Sequence, residues 1–364
     1  FNVIDDIIAN LSEALRTGKE YKSIKDVTTS SVEAYKYFSL GIKALDGMKL
    51  KEAIQYFKKA VNKDTAFALA YAYIAYAYGH MDNYKKAQEY LKEAMKYIYK
   101  VTEPEKYSII AMDAFCMEDY DRAYKMFHKA IELNPYEKRY YLGLASAFIK
   151  NRKPDSALIY CEKALKLDPT YSRTYNLKCE AYMIKGDFKM AKKVAKEMLK
   201  INKNCVWAHL FIGYIYSETD SLEKAIKSLE KVIEIDPTNV WAYNLLGYCW
   251  MDLKNYKKAL VNFRQYASLS PDDPNAYDSM GECYIAMDSL EKAEKMFKKA
   301  LRLNPNFWHS HYMLGIVYEK KGEFRKAIKE FEEVIKTKSA SYGYKEFIDS
   351  AKKHIENIRR RYAF

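Results

Sequence analysis

Residues 240–271, VWAYNLLGYCWMDLKNYKKALVNFRQYASLSP, decide the fold. Tyr243, Leu246, Gly247 and Trp250 fall at i, i+3, i+4 and i+7, which is one face of a helix. The pattern breaks near Lys254-Asn255 and resumes at Tyr256, Ala259, Leu260 and Phe263. Pro271 ends the second run, because proline has no amide hydrogen and cannot continue a helix. The stretch therefore predicts two short helices joined by a turn. Gly247 and Ala259 are small where the helices would cross, and the large aromatics fill the space beside them.

The same register runs along the chain. Ala53, Ala87, Ala123, Ala157, Ala191, Ala225, Ala259, Ala293 and Ala327 recur every 34 residues, with one spacing of 36. Pro135, Pro169, Pro237, Pro271 and Pro305 follow five of them by twelve residues, and Gly41, Gly213, Gly247, Gly281 and Gly315 precede five by the same interval. Tyrosines recur sixteen residues before seven of the alanines, which accounts for part of a total of 35, and His209 and His311 fill that slot twice.

These offsets resemble the tetratricopeptide repeat family over residues 34–341, as nine repeats with two extra residues ahead of Pro104. The resemblance implies an all-α fold, a right-handed superhelical solenoid of helix-turn-helix repeats. Contacts in such stacks run between nearest neighbours, so whole-repeat truncation is expected to lower stability stepwise. Repeat five departs from the pattern, with Lys178, Cys179, Ala195 and Lys203 where Leu, Gly, Phe and Pro are usual. Residues 342–364 read as a C-terminal capping helix ending in Arg359-Arg360-Arg361, charges that suit a helix C-terminus. Residues 1–16 read as an amphipathic helix and 17–33 as a polar linker. The stretch 27–35 resembles the junction before such arrays in some bacterial serine/threonine kinases and TolB-like proteins, which implies a prokaryotic source and, as an alternative role, a regulatory or docking tail of a kinase.

Composition sets further bounds. Hydrophobic residues make up 49% and charged residues 30% of the 364, so the chain can fold. No apolar run reaches the length of a membrane span, and no integral membrane contact is expected. The net charge of +13 is mostly lysine, spread and mixed with acids rather than clustered, so no nucleic-acid partner is expected. The six cysteines contain no CxxC pair, and no metal or other cofactor is expected. The chain starts at Phe1; a processed end there would place it outside the cell or on its surface, and otherwise it is cytoplasmic.

Catalysis would need a nucleophile, a base and an oxyanion donor in one place. The sequence carries no GxSxG, no Gly-rich phosphate loop and no HExxH, so the protein is read as no enzyme. Asp46, His80, Cys116 and Lys150 share one repeat position and would form a row along the first helices, too widely spaced for direct proton transfer.

In the family, the first helix of each repeat lines a groove. The residues resembling groove positions are Tyr35, Phe38, Ile42, Leu45, Leu69, Tyr76, Met112, Phe115, Leu142 and Ile149, then Trp207, Tyr214, Trp241, Asn244 and Tyr248. Repeat five is polar there, with Arg173, Asn176 and Glu180, and repeat eight is acidic, with Asp278 and Glu282. Chaperone-binding members grip a C-terminal carboxylate with Lys and Asn, where this chain has Phe38 and Ile42. An apolar groove instead suits an amphipathic helix or extended apolar peptide. Ile4, Ile7, Ile8, Leu11 and Leu15 form one stripe on the N-terminal arm, able to dock on another copy and give a homo-oligomer or filament. The expected role is thus a non-catalytic protein-protein interaction scaffold. A first check is local: Ala259→Leu should lower stability by about 1–3 kcal/mol through overpacking, read from urea unfolding.

Overall fold

The computed structural model describes residues 29, 31–47, 49–81, 83–337 and 344–362. The proposed helix at 1–16 and most of its linker lie outside them. The described residues form nineteen α-helices and one 3-10 turn, and no strand. The chain divides into two compact units between Lys203 and Asn204. Lys203 holds the slot that proline fills in five other repeats.

In the first unit, five hairpins follow one another: α1 (Val32–Asp46) with α2 (Leu50–Lys63), α3 (Ala68–His80) with α4 (Tyr84–Lys96), α5 (Glu103–Cys116) with α6 (Tyr120–Leu133), α7 (Lys138–Lys150) with α8 (Pro154–Leu167), and α9 (Ser172–Ile184) with α10 (Phe188–Ile201). The second unit holds α11 (Val206–Glu218) with α12 (Leu222–Ile235), α13 (Val240–Asp252) with α14 (Tyr256–Leu269), α15 (Pro274–Ala286) with α16 (Leu290–Leu303), and α17 (Trp308–Lys320) with α18 (Phe324–Lys336), on which α19 (Tyr344–Tyr362) packs. The spacing of 36 is absorbed between α4 and α5 by the 3-10 turn Ile98–Lys100 and by Thr102, whose amide donates to Glu105 Oε2 at 2.8 Å. Pro104 follows in the first helical turn, where its missing amide costs nothing.

One turn geometry recurs within the hairpins. Glu118, Arg152, Gly186, Asp220, Lys254, Asp288 and Gly322 all have positive φ, at intervals of 34 residues. In repeat seven the Asn255 amide donates to Trp250 O and the Lys254 amide to Met251 O, both at 2.8 Å, which satisfies the last carbonyls of α13. Asn255 then turns its own Oδ1 to the Lys258 amide at 3.2 Å and caps α14. Asn83, Asp119 and Asp187 cap their helices in the same way.

The helix crossings are tight. A Cβ built at Gly247 would stand 2.2 Å from the ring of Phe263, which is fully buried. Gly41, Gly281 and Gly315 face Phe57, Phe297 and Phe331 in the same way, and Gly213 faces Leu229. Gly143 lies two residues off this register and instead receives Phe127 from the preceding repeat. Replacing any of these glycines would force a buried ring to move, and that outweighs the roughly 1 kcal/mol of helix propensity that alanine would add.

The tyrosine slot does more than pack. The hydroxyls of Tyr141, Tyr175, Tyr243 and Tyr277 donate to the carbonyls of Pro135, Pro169, Pro237 and Pro271, six residues earlier, at 2.8–3.2 Å. His311 does the same to Pro305 O at 2.9 Å through Nε2, so the slot selects a ring that can donate a hydrogen bond. Sequence spacing had suggested packing alone.

The first unit also departs from nearest-neighbour contact. Ser172 Oγ donates to Asp46 O at 3.1 Å, across 126 residues, so repeat five touches repeat one. Stepwise loss of stability on truncation is therefore not expected there, because the contact spans all five repeats.

His311 contributes to the pH dependence of the second unit, as does His309, whose bond to Asp278 also raises its pKa. Burial alone would lower the pKa of His311, but Nδ1 lies 2.7 Å from Glu330 Oε2, and this bond with the Pro305 contact raises it above 6.5. Its charged form therefore adds stability in full below the ordinary histidine value, and that increment fades as pH rises through the higher folded value. Urea midpoints measured across neutral pH should show this slope in the native chain and a flatter profile in His311→Tyr.

Candidate protein-binding face

Within each unit the first helices of successive repeats touch one another, α3 to α5 to α7 to α9 and α11 to α13 to α15 to α17. In each unit these first helices carry the groove residues chosen from the sequence, whereas the arm residues Ile4, Ile7, Ile8, Leu11 and Leu15 lie outside the described residues.

In the first unit that face is not an open apolar groove. Phe38, Leu45, Leu142 and Ile149 are buried in the cores between repeats. Tyr35, Ile42, Leu69, Tyr76, Met112 and Phe115 are half-buried and pack against the same cores or line a small recess beside Gly79. Charged residues from repeats four and five occupy the centre. Arg173, only 5% exposed, donates to the Tyr76 hydroxyl, covers the Tyr76 ring at 4.9 Å and stands 3.7 Å from Asp46 Oδ1. Arg139 grips both oxygens of Glu137, at 2.8 and 2.5 Å, and lies over Tyr73 at 6.0 Å. Burial pushes the Asp46 carboxyl up although Arg173 opposes it, whereas Glu137, equally subject to burial, is held low by Arg139. Arg139 and Glu137 escaped the sequence reading, which had taken repeats one to four as apolar.

The row of Asp46, His80, Cys116 and Lys150 does not make a nucleophile. Burial, helped by Arg173 and Lys150, lowers His80 to about 3, and burial with Asp113 pushes Cys116 up to about 12. A catalytic cysteine needs the opposite shifts, a thiolate beside an imidazolium.

The face of the second unit is different. Trp207 and Trp241 meet edge to face with centroids 5.2 Å apart, and Trp241 is 54% exposed. Tyr214, Asn244 and Tyr248 beside them are half-buried. From there the face turns polar: Ser279 Oγ lies 3.0 Å from Asn244 Oδ1, and the Tyr248 hydroxyl donates to Glu282 Oε1 at 2.9 Å. His309 and His311, two apart on α17, address different partners, Asp278 and Glu330.

A stack of helical hairpins with one aromatic face defines a helical-repeat scaffold. Residues 110–172 match the tetratricopeptide repeat, and residues 217–358 match the C-terminal ARM domain of tetratricopeptide repeat protein 21. The chain belongs to the tetratricopeptide repeat proteins. Among curated relatives, anaphase-promoting complex subunit 3 of Schizosaccharomyces pombe is 24% identical over 60% of this chain and 33% of its own. A STIP1 homolog of Dictyostelium discoideum is 35% identical over 24% of this chain and 16% of its own. The chain thus spans a third or less of the length of these relatives. Human IFIT1, solved as a dimer with m7Gppp-AAAA, superposes with a TM-score of 0.59 at 20% identity, over 93% of this chain and 85% of the other. A tetratricopeptide repeat protein from Parabacteroides merdae gives 0.56 at 17% identity, over 69% and 99%. At these identities the two structures show the fold alone.

The buried charges of the first unit make a test. Arg173→Ala should destabilise that unit by about 1–3 kcal/mol, because Asp46 and the Tyr76 hydroxyl lose their partner. Pairing it with Asp46→Asn should cost less than the sum of the two, measured by a double-mutant cycle in urea.

Proposed function

We propose that the chain is a protein-interaction scaffold whose second unit docks apolar or amphipathic segments on the face around Trp207 and Trp241, and that the N-terminal arm of a second copy is one such segment. The observation that supports this reading is the tryptophan pair, one ring of which is left more than half in water. Tryptophans dominate binding energy at protein interfaces, and a pair with Trp241 exposed and Trp207 half-buried offers the anchor that an amphipathic helix needs. Tyr214, Asn244 and Tyr248 flank it and would supply the polar rim. The arm fits the anchor by pattern: Ile4, Ile7, Ile8, Leu11 and Leu15 lie on one side of a helical register, and all five fall outside the described residues. Docking in trans joins unlike surfaces and leads to rings or filaments. The first unit is assigned a lesser part, because Arg173 and Arg139 already occupy its centre.

The test uses the full chain and a labelled peptide of residues 1–16. Anisotropy should show saturable binding, and Trp241→Ala should weaken it by about tenfold or more. Deleting residues 1–16 should turn any assembly seen by sedimentation into monomer. Absence of peptide binding, or retention of single-stranded RNA in place of peptide, would overturn the reading.

A further inference from the structure

The geometry points to a divalent transition-metal site on the second unit, held by Asp278, Glu282 and His309. Asp278 and Glu282 lie one helical turn apart on α15, and His309 comes from α17 in the next repeat. One ligand atom from each lies within 4.8 Å of the others. Asp278 is 1% exposed, while Glu282 and His309 are half-buried, so the trio has a closed back and an open front through which an ion can enter.

Three features favour an ion over a plain hydrogen-bonded cluster. The first is charge. Two carboxylates stand here with a single imidazole, and among the described residues neither forms an ion pair with a lysine or an arginine. His309 pairs with Asp278, so Glu282 is the acid left without a cation of its own, and a dication would neutralise it. The second is orientation. Ser310 Oγ donates to Asp278 Oδ1 at 2.5 Å, and the Tyr248 hydroxyl donates to Glu282 Oε1 at 2.9 Å. Each bond fixes one oxygen of its carboxylate, as outer partners do around bound metals, and the other oxygen of Asp278 faces His309. His309 Nδ1 lies 2.7 Å from Asp278 Oδ2, so a proton now sits between two atoms that could both be ligands. The third is surroundings. Trp308 and Phe347 flank the imidazole edge to face at 5.4 and 5.6 Å, which fixes the ring and lowers the local dielectric.

The donor set names the class of ion. Two oxygens and one imidazole nitrogen suit zinc, manganese or ferrous iron, whereas magnesium and calcium prefer oxygen alone. Water would complete the sphere on the open side. Because the ligands join α15 to α17, the ion would tie repeat eight to repeat nine.

The experiment is calorimetric titration of the chelator-treated full chain with Zn²⁺ and separately Mn²⁺. The expected result is one saturable site per chain with a rise in melting temperature. Asp278→Asn and Glu282→Gln should each weaken binding by about tenfold or more and abolish the rise. Asp278 is buried, so Glu282→Gln, at a more exposed position, decides the matter if the first variant folds poorly. Visible absorption of the Co²⁺ form guards against binding at a cysteine, since oxygen and nitrogen ligands give no thiolate charge-transfer band. No saturable site, unchanged affinity in Glu282→Gln, or a thiolate band would each overturn the proposal.

Discussion

A glycine facing a large side chain sixteen residues later is the contact on which five of the repeats depend, the partner being a phenyl ring in four of them and Leu229 in the fifth. Where the pair is Gly247 and Phe263, no Cβ fits between the helices, and the ring fills the space that the missing side chain leaves. The close crossing of these hairpins follows from this, and neighbouring hairpins can then stack over a shared core. Repeat five inverts the sizes: Cys179 stands in the small slot and Ala195 in the large one, both buried. Cys179 Sγ then lies 3.6 Å from the Ala191 carbonyl, so a thiol takes up part of the volume that a phenyl ring occupies elsewhere. The division of the chain into two units follows directly after this repeat.

The hairpins were legible in the sequence because their determinants are local. Period, turn and stop all fall within 34 residues, and Lys254-Asn255 could be read as a break before any coordinate was known. The hydrogen bond from four of the slot tyrosines to a proline carbonyl was half legible: the spacing was plain, but its cause shows only in the structure, where His311 makes the same bond. What was not legible depends on the angle through which each repeat turns. Arg173 and Asp46 lie 127 positions apart, and no pattern within one repeat says that they meet. The apolar trough read from Phe38, Leu45, Leu142 and Ile149 failed because these side chains are buried in the cores between repeats, while Arg139 and Arg173 reach the tyrosines of earlier repeats. Asp278 and Glu282 were visible as an acidic pair, and His309 as a residue apart from His311. Their convergence needed the rise from one repeat to the next.

The two units use charge in opposite ways. In the first, each buried arginine has a carboxylate and tyrosine faces around it, so the polar groups act as internal struts. In the second, the acids of α15 face a histidine and two hydroxyls and, among the described residues, form no ion pair with a lysine or arginine, while on α13 Trp241 stands more than half in water. The same fold thus carries an arginine-centred cluster in one unit and an acid-centred cluster in the other.

The bond between Ser172 and the Asp46 carbonyl also sets a count. An open stack tolerates gain or loss of a repeat, because each unit meets only its neighbours. A turn that closes on its own first member does not: four repeats fall short of the contact, and six overshoot it. Duplication or deletion of a repeat, the ordinary way in which such arrays change length, would break this contact in the first half of the chain.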